Sequence, residues 1–154
     1  MGTGGAGGAG QLRMWDLESG GESAVFGGRR HGIRAVRFSP DGNYALSGGV
    51  DNTVRLWDVS SGRELALVAR HSRGVDDVCF SPDGRYAASG AGGAFKGADQ
   101  AEIVLIDLVA RKPIRRLRSG KLSVNSLCFS PDGKQVLTGS DVGTVQVIDV
   151  ETGE

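Results

Sequence analysis

Two turns and two β-type runs make up SPDGNYALSGGVDNTVRLWD, residues 39–58. In the first turn, SPDG, the serine before proline is held extended, proline fixes φ at the first corner, and glycine takes the left-handed exit. The second turn, SGGVDN, is polar and glycine-containing. The runs on either side of it carry aromatic and β-branched residues and are bounded by turn residues. The stretch therefore predicts two short strands joined by a tight turn.

The same pattern recurs along the chain. SPDG returns at residues 81–84 and 130–133. The closing Trp57-Asp58 has counterparts with a bulky apolar residue before an aspartate, at Trp15-Asp16, Ile106-Asp107 and Ile148-Asp149. Successive aspartates of these pairs are 42, 49 and 42 residues apart. A period of about 40–45 residues with several short strands in each unit is typical of propeller blades.

Thirteen strands follow from this pattern, and no helical periodicity competes with them. They are predicted at residues 11–16, 23–26, 35–39, 44–48, 53–57, 64–69, 75–81, 86–89, 102–106, 113–117, 124–130, 135–138 and 144–148. They group as two, four, four and three strands. The sequence thus predicts an all-β chain of repeated units.

The chain resembles the WD-repeat β-propeller family over residues 11–154. The three SPDG turns, TVRLWD at residues 53–58 and the dipeptide Trp15-Asp16 carry the resemblance. It implies four-stranded antiparallel blades, each with its first strand lining a central channel. A glycine-rich segment at residues 1–10 precedes a partial blade at 11–28. Full units follow at about 29–70 and 71–118, and a truncated unit at 119–154.

The strand count predicts an incomplete, open propeller. Thirteen strands make about three and a quarter blades, whereas closed propellers use roughly four to eight. Two interpretations remain open at this point: the chain is a piece of a larger propeller, or it closes by pairing with a second copy. In either case, sheet faces that normally pack on neighbouring blades would favour association.

The resemblance also implies a buried network that joins a histidine, a serine or threonine, an aspartate and a tryptophan in each blade. The residues at these positions are Ser47, Asp51 and Trp57 in the first unit, His71 and Ser89 in the second, and Thr138 in the third. No unit keeps all four residue types. We therefore expect packing between sheets to contribute most of the stability, since a polar network replaced by apolar residues can be nearly neutral.

Bulk composition excludes several classes of protein. Lys plus Arg and Asp plus Glu number 18 each, so no overall charge points to nucleic acid or to a charged membrane surface. Neither an apolar run of about 18 residues nor a charged-then-apolar leader is present, so we expect no membrane span or signal peptide. Cys79 and Cys128, each before a phenylalanine, are predicted to be small buried free thiols. The prediction is a cytoplasmic protein.

Few residues suit catalysis or cofactor binding. The histidines, His31 and His71, fall on corresponding loops, and zinc would need further nitrogen or sulfur ligands beside them. The G-x-G-x-x-G match that begins at Gly2 has no strand before it and no helix after it, so it does not predict a dinucleotide site. We predict no catalytic residue, no cofactor and no metal. The alternative is a hydrolase with carboxylates clustered in the channel.

Loops on one face of the blades form the predicted interaction surface. Residues 91–99 supply a seven-residue excess in the second unit, with Phe95 and Lys96 at the tip. Phe95 would either anchor a partner or fold back on its own blade. Further loop residues complete the surface, which consists of Arg29, Arg30, His31, Arg73, Phe95, Lys96 and Lys121.

A basic run, RKPIRRLR at residues 111–118, falls on an outermost strand. Charges and a proline there discourage edge-to-edge pairing. Phosphate binding is the alternative, but the run lacks the interleaved aromatic residues on which bases stack. Nucleic acid is therefore not the expected partner.

The predicted function is a non-enzymatic protein–protein interaction scaffold. A rigid repeat array holds its loops in place, so a partner binds with little cost of ordering. Two alternatives stay open: a regulatory or sensory module of a larger protein with a separate catalytic domain, and the propeller-borne hydrolase. Self-association through open blade edges is a further possible contact.

Overall fold

The computed structural model describes residues 10–29, 32–92, 101–118, 123–141 and 143–153. Thirteen strands and no helix occur in these ranges, so the all-β prediction is confirmed. The strands are β1 Gly10–Trp15, β2 Glu22–Arg29, β3 Ile33–Phe38, β4 Tyr44–Gly49, β5 Thr53–Asp58, β6 Glu64–Arg70, β7 Val75–Phe80, β8 Tyr86–Ala91, β9 Glu102–Asp107, β10 Lys112–Arg118, β11 Ser126–Phe129, β12 Gln135–Gly139 and β13 Val145–Asp149.

The strands form four antiparallel sheets in chain order. An N-terminal sheet contains β1 and β2, blade I contains β3–β6, blade II contains β7–β10, and blade III contains β11–β13. The second and third strands pair in the same register in every blade, as Leu46 with Leu56, Ala88 with Leu105 and Leu137 with Val147. In the described residues no ladder joins blade III to the N-terminal sheet, so the sheets do not close into a ring.

The SPDG turns have one geometry in all three blades. In each, the glycine N–H donates to the carbonyl of the serine at 2.9 Å, beginning with Gly42 and Ser39. The three glycines have φ between 71° and 75°, the left-handed conformation that glycine adopts at little cost. The predicted turn chemistry is therefore confirmed, and it sets the register of the first two strands of each blade.

The hydrophobic core lies between successive sheets. Phe26 of β2 meets Trp57 of blade I edge-on, with ring centroids 6.1 Å apart and an interplanar angle of 89°. Buried aliphatic residues fill the spaces between blades I and II and between blades II and III. The innermost strand of each blade, β3, β7 or β11, contacts that of the next. Each blade therefore depends on its neighbours for burial.

A glycine on the second strand brings successive blades together. A Cβ added to Gly48 would lie 2.5 Å from Cγ1 of Val75, on the innermost strand of blade II. A Cβ added to Gly90 would lie 2.4 Å from Cγ1 of Val124, at the entry to blade III. Real Cβ contacts are never this short, so only glycine permits the observed spacing between the sheets.

One buried carboxylate connects three blades. Asp77 on β7 is 4 % exposed. Its Oδ1 lies 3.0 Å from Nη2 of Arg37 in blade I, and its Oδ2 accepts a hydrogen bond of 3.0 Å from the backbone N–H of Leu127 in blade III. The neighbouring Asp76 forms an ion pair with Arg34 of blade I. Polar contacts thus reinforce the apolar packing near the innermost strands.

The two cysteines differ in exposure. Both are free thiols, and burial raises the pKa of Cys79 to about 12, so this thiol stays protonated and unreactive. The prediction of two buried thiols is wrong for Cys128, which is exposed. Cys79 packs in the cluster between blades II and III. Cys128 occupies the same position in blade III, where the described residues provide no further blade to cover it.

Substitution of the interface glycine tests this account of the packing. Gly48→Ala should lower the free energy of unfolding by about 1–3 kcal/mol. The new Cβ would push the stiff Val75 side chain, and with it blade II, away from blade I. The matched Gly139→Ala should change it by less than about 0.5 kcal/mol, since nothing lies within 4 Å of a Cβ there. Urea unfolding measures both, and equal effects would contradict the packing account.

Candidate functional site

The loop that enters blade II sits on a turn of blade I. The backbone N–H of His71 donates to the carbonyl of Asn52 at 2.8 Å, and a Cβ on Gly74 would lie 3.5 Å from Cα of Val50. Asn52 has φ of 65°, which asparagine tolerates in turns. Residues 71–74 are therefore held by the neighbouring blade rather than projecting freely.

In blade I, a buried hydrogen bond links the second and third strands. Nε1 of Trp57 donates to Oγ of Ser47 at 2.8 Å. Asp51, in the turn between these strands, accepts from the backbone N–H of Thr53 at 3.2 Å and from its hydroxyl at 2.8 Å. The Trp57–Ser47 bond thus links the two strands, and the Asp51–Thr53 bonds separately fix the turn between them.

In blade II, the network runs from a histidine to an unpredicted glutamate. Nε2 of His71 lies 2.7 Å from Oγ of Ser89. Its Nδ1 lies 3.0 Å from Oε2 of Glu102 without the alignment of a hydrogen bond, so this contact is mainly electrostatic. Nη1 of Arg116 in turn donates to Oε1 of Glu102 at 2.7 Å and to the carbonyl of Arg70 at 2.9 Å. The entry loop is anchored from both sides.

Glu102 occupies the position that Thr53 has in blade I. Because the family pattern directs attention to an aspartate in the turn, the spacing gave no reason to choose this residue. The repeat alignment supplies the only signal: Glu102 begins the third strand of its blade, as Thr53 does. In blade II, Glu102 at the start of the third strand is the carboxylate that lies beside the histidine.

The arrangement of serine, histidine and carboxylate resembles a hydrolase triad in connectivity, but not in access. Ser89 is 0 % exposed and His71 is 7 % exposed, so no substrate can approach the hydroxyl. The described ranges also contain no group of three or more His, Cys, Asp and Glu side chains placed to hold a metal ion. The contacts therefore position a loop.

Burial sets the charge of the network. It lowers the pKa of His71, and the charge of Arg116 adds to this effect, while Glu102 opposes it. Burial alone would raise the pKa of Glu102, but the hydrogen bond from Arg116 and the positive charge of Arg116 outweigh it and lower that pKa. At neutral pH the histidine is neutral and the glutamate ionised.

In blade III, a hydrogen-bonded pair of a serine and an aspartate takes the place of the histidine network. Thr138 is buried at the position of Ser47 and Ser89. The hydroxyl of Ser123, in the entry segment, donates to the carboxylate of Asp141, and the N–H of Asp141 donates back at 3.3 Å. Sequence reasoning missed this pair because neither residue stands at a family position.

Most of the predicted interaction surface lies outside the described residues. Arg73 is exposed in the entry loop of blade II, and Arg29 ends β2. The remaining residues of the surface lie outside the described ranges; they are Arg30, His31, Phe95, Lys96 and Lys121. The two alternatives for Phe95, a partner anchor or a side chain folded back on its own blade, therefore both stay predictions. The loop face is therefore represented by the segment around Arg73.

The opposite face carries the SPDG turns in a row. A Cβ on Gly84 would lie 3.8 Å from Cδ of Pro40, and one on Gly133 would lie 3.6 Å from Cδ of Pro82. Between the first two turns is a groove of about 370 Å³, with the ring of Tyr44 in its lining. The basic run lies elsewhere, on β10 at the outer edge of blade II.

Local hydrogen bonds keep the turn aspartates ionised. The serine hydroxyl of the same turn, followed by the backbone N–H two residues on, lowers the pKa of Asp41, Asp83 and Asp132. Each carboxylate is thus used within its own turn. A general acid or base working near neutral pH would need a raised pKa instead.

A family model named WD domain, G-beta repeat, matches residues 20–58, 62–96 and 111–149, more than two thirds of the chain. The chain belongs to the WD-repeat family. No curated protein matches the sequence. Each match begins at or just before an outer strand, and the second ends at residue 96, within the predicted seven-residue excess. WD repeats are generally protein-interaction scaffolds and typically non-catalytic.

The described residues include no helix that is long and apolar enough to cross a membrane.

Removal of one charge tests the blade II network. Glu102→Gln should lower the pKa of His71 further, because the carboxylate that favours the imidazolium is lost. NMR titration of the imidazole measures this. Glu64→Gln, which removes a carboxylate paired with Arg55 on blade I, is the matched control and should leave the His71 pKa unchanged. A higher pKa in Glu102→Gln would contradict the assigned contacts.

The same shift predicts a pH dependence of stability. Since the pKa of His71 is lower in the folded state than its ordinary value of about 6.5, the unfolded chain binds the proton more readily. The contribution of His71 to the free energy of unfolding should be complete above pH of about 6.5 and be lost as the pH falls toward the folded pKa. His71→Gln should flatten the urea-unfolding profile over that window, and an unchanged profile would refute the linkage.

Proposed function

We propose that this chain is a non-enzymatic scaffold that binds a protein partner through its loop face. The loop held between blades I and II carries the proposal. His71 is held through its backbone N–H by the carbonyl of Asn52 and through its imidazole by the hydroxyl of Ser89. Arg73, two residues later in the same loop, is exposed. A preformed loop with an exposed arginine binds without paying for its own ordering.

The charge of the loops supports an acidic partner. The sequence reads RRHGIR at residues 29–34 and RHSRG at 70–74, with Lys121 in the third loop. Two cations near this face already have acidic partners, since Arg34 pairs with Asp76 and Arg116 with Glu102. Arg73 is the exposed residue around which we place the contact, with Arg29, Arg30, His31, Phe95, Lys96 and Lys121 as further members of the surface.

The hydrolase alternative gains no support from the described residues. The acids with a shifted pKa, which include the turn aspartates and Glu102, have it lowered, and they lie in separate turns or in the His71 network. We also propose a cytoplasmic location, because two free cysteines suit a reducing compartment.

Charge reversal on opposite faces tests the proposal. Proteins captured from a lysate by the full chain are identified, and the affinity of the leading partner is then measured by interferometry. Arg73→Glu should weaken binding about tenfold or more without a change in Tm, because it places a like charge against an acidic partner. Phe95→Ala is the second variant and should act in the same direction.

Arg85→Glu provides the matched control, since Arg85 is also exposed but follows an SPDG turn on the opposite face. It should leave the affinity unchanged. Equal weakening by Arg73→Glu and Arg85→Glu would show that overall charge rather than the loop face governs binding. A partner whose affinity responds to neither variant would refute the proposed surface.

A further inference from the structure

The groove between the SPDG turns of blades I and II combines apolar walls with negative charge. Its volume of about 370 Å³ is near the lower end of the roughly 300–1,000 Å³ seen in ligand pockets. Pro40, Pro82 and Tyr44 give it apolar walls, and Asp41 and Asp83 contribute two carboxylates. Among the described residues that line it there is no lysine or arginine. The groove therefore has no positive charge of its own.

Hydrogen bonds within each turn form the groove in advance of any partner. The N–H of Tyr44 donates to Oγ of Ser39 at 2.9 Å, and the N–H of Ser39 donates to the carbonyl of Tyr44 at 2.9 Å. In blade II, Tyr86 and Ser81 make the same two contacts, at 2.9 Å and 2.8 Å. A ligand thus meets walls that are already fixed, which reduces the cost of ordering.

In blade II, the tyrosine that corresponds to Tyr44 is covered by a cation of the chain itself. Cζ of Arg85 lies 5.0 Å from the centre of the Tyr86 ring, within the range of a cation–π contact. The hydroxyl of Ser81 is the largest cause of the lowered pKa of Asp83, and the charge of Arg85 adds to it. Blade II thus shows a guanidinium placed over a tyrosine and near an aspartate.

Blade I has the same tyrosine and aspartate without the cation. Asn43 stands where blade II has Arg85, and its Nδ2 donates to Oδ2 of Asp41 at 2.9 Å. Within the described residues, no cationic side chain lies over the Tyr44 ring. Tyr44 is 40 % exposed, more than Tyr86. A cation supplied from outside could therefore take the place that Arg85 has in the next blade.

Both carboxylates of the groove are ionised at neutral pH. The hydroxyl of Ser39 is the largest cause of the lowered pKa of Asp41, as that of Ser81 is for Asp83. In the described part of the chain, the hydrogen bonds that Asp83 accepts from Ser81 and Arg85 both end on Oδ1. This leaves Oδ2 of Asp83 for a further donor. A guanidinium suits such a site, because it stacks on aromatic rings and donates to carboxylates.

We propose that this groove binds an arginine side chain of a partner protein, with the guanidinium stacked on Tyr44 beside the carboxylates of Asp41 and Asp83. Arginine is favoured over lysine because the chain itself places an arginine on the corresponding tyrosine, and because an ammonium group lacks the planar surface that stacks. The groove lies on the face opposite the loop around Arg73. The inference therefore does not rest on the proposed function.

The probe is the peptide Gly-Gly-Arg-Gly-Gly with blocked ends, titrated into the full chain. Shifts of the backbone amide signals of Tyr44 and Gly84 in ¹H–¹⁵N NMR spectra measure its binding, and they should saturate. Two control peptides carry lysine or citrulline in place of arginine. Each should bind at least about fivefold more weakly, because lysine lacks the planar group and citrulline has its shape without the charge.

Substitutions on the two blades give opposite expectations. Asn43→Arg should cover the Tyr44 ring from within the chain, as Arg85 does in blade II, and weaken binding at least about fivefold. Tyr44→Leu, which keeps the backbone of the turn and removes the ring, should have a similar effect. Arg85→Asn should uncover Tyr86 and so create a second site between the turns of blades II and III, detected by new shifts at Gly133.

Four results would overturn the inference. The arginine peptide could give no saturable shift at Tyr44, or the lysine or citrulline peptide could bind as tightly. Asn43→Arg and Tyr44→Leu, with the dispersed spectra of folded chains, could bind the peptide as the original chain does. Light scattering could find a dimer that Asn43→Arg dissociates, which would make the occupant a second copy. Arg73→Glu should leave peptide binding unchanged, so this outcome is separate from failure of the proposed function.

Discussion

The contact between a glycine on the second strand and a branched aliphatic residue on the next blade is the constraint on which the array depends. With no Cβ at Gly48 or Gly90, the sheets approach until valine methyl groups rest on the backbone. Each blade is otherwise a thin sheet with two apolar faces, so its stability comes from burial against its neighbours. The turns set strand register, but this contact sets the spacing of the blades.

The polar networks vary far more between blades than the packing does. Blade I retains the tryptophan–serine bond, blade II uses His71, Ser89 and Glu102, and blade III uses Ser123 and Asp141. A buried hydrogen bond contributes only about 0.5–1.5 kcal/mol net, so one network can replace another at little cost in stability. Their common effect is to hold the loops that face a partner.

The strand order, the turns and the repeat could be predicted because they rest on local chemistry: SPDG turns the chain in the same way wherever it occurs. The resemblance to the family also led to His71 and Ser89, whose Nε2 and Oγ atoms lie 2.7 Å apart. The exposure of Cys128 was predicted wrongly because burial at that position is decided by the following blade, not by its own strand. Glu102 could not be predicted because blade I has threonine at the same position. Its role depends on how its side chain reaches His71 and Arg116 in the folded sheet.

Asp77 couples the unfolding of neighbouring blades. Its carboxylate holds Arg37 of the preceding blade and the backbone of Leu127 in the following one, so a single side chain spans three consecutive sheets. Repeat arrays with contacts only between adjacent units can fray from an end, one unit at a time. Here, detaching either flanking blade removes one partner of this buried side chain, so the stability of the central blade is coupled to both of its neighbours.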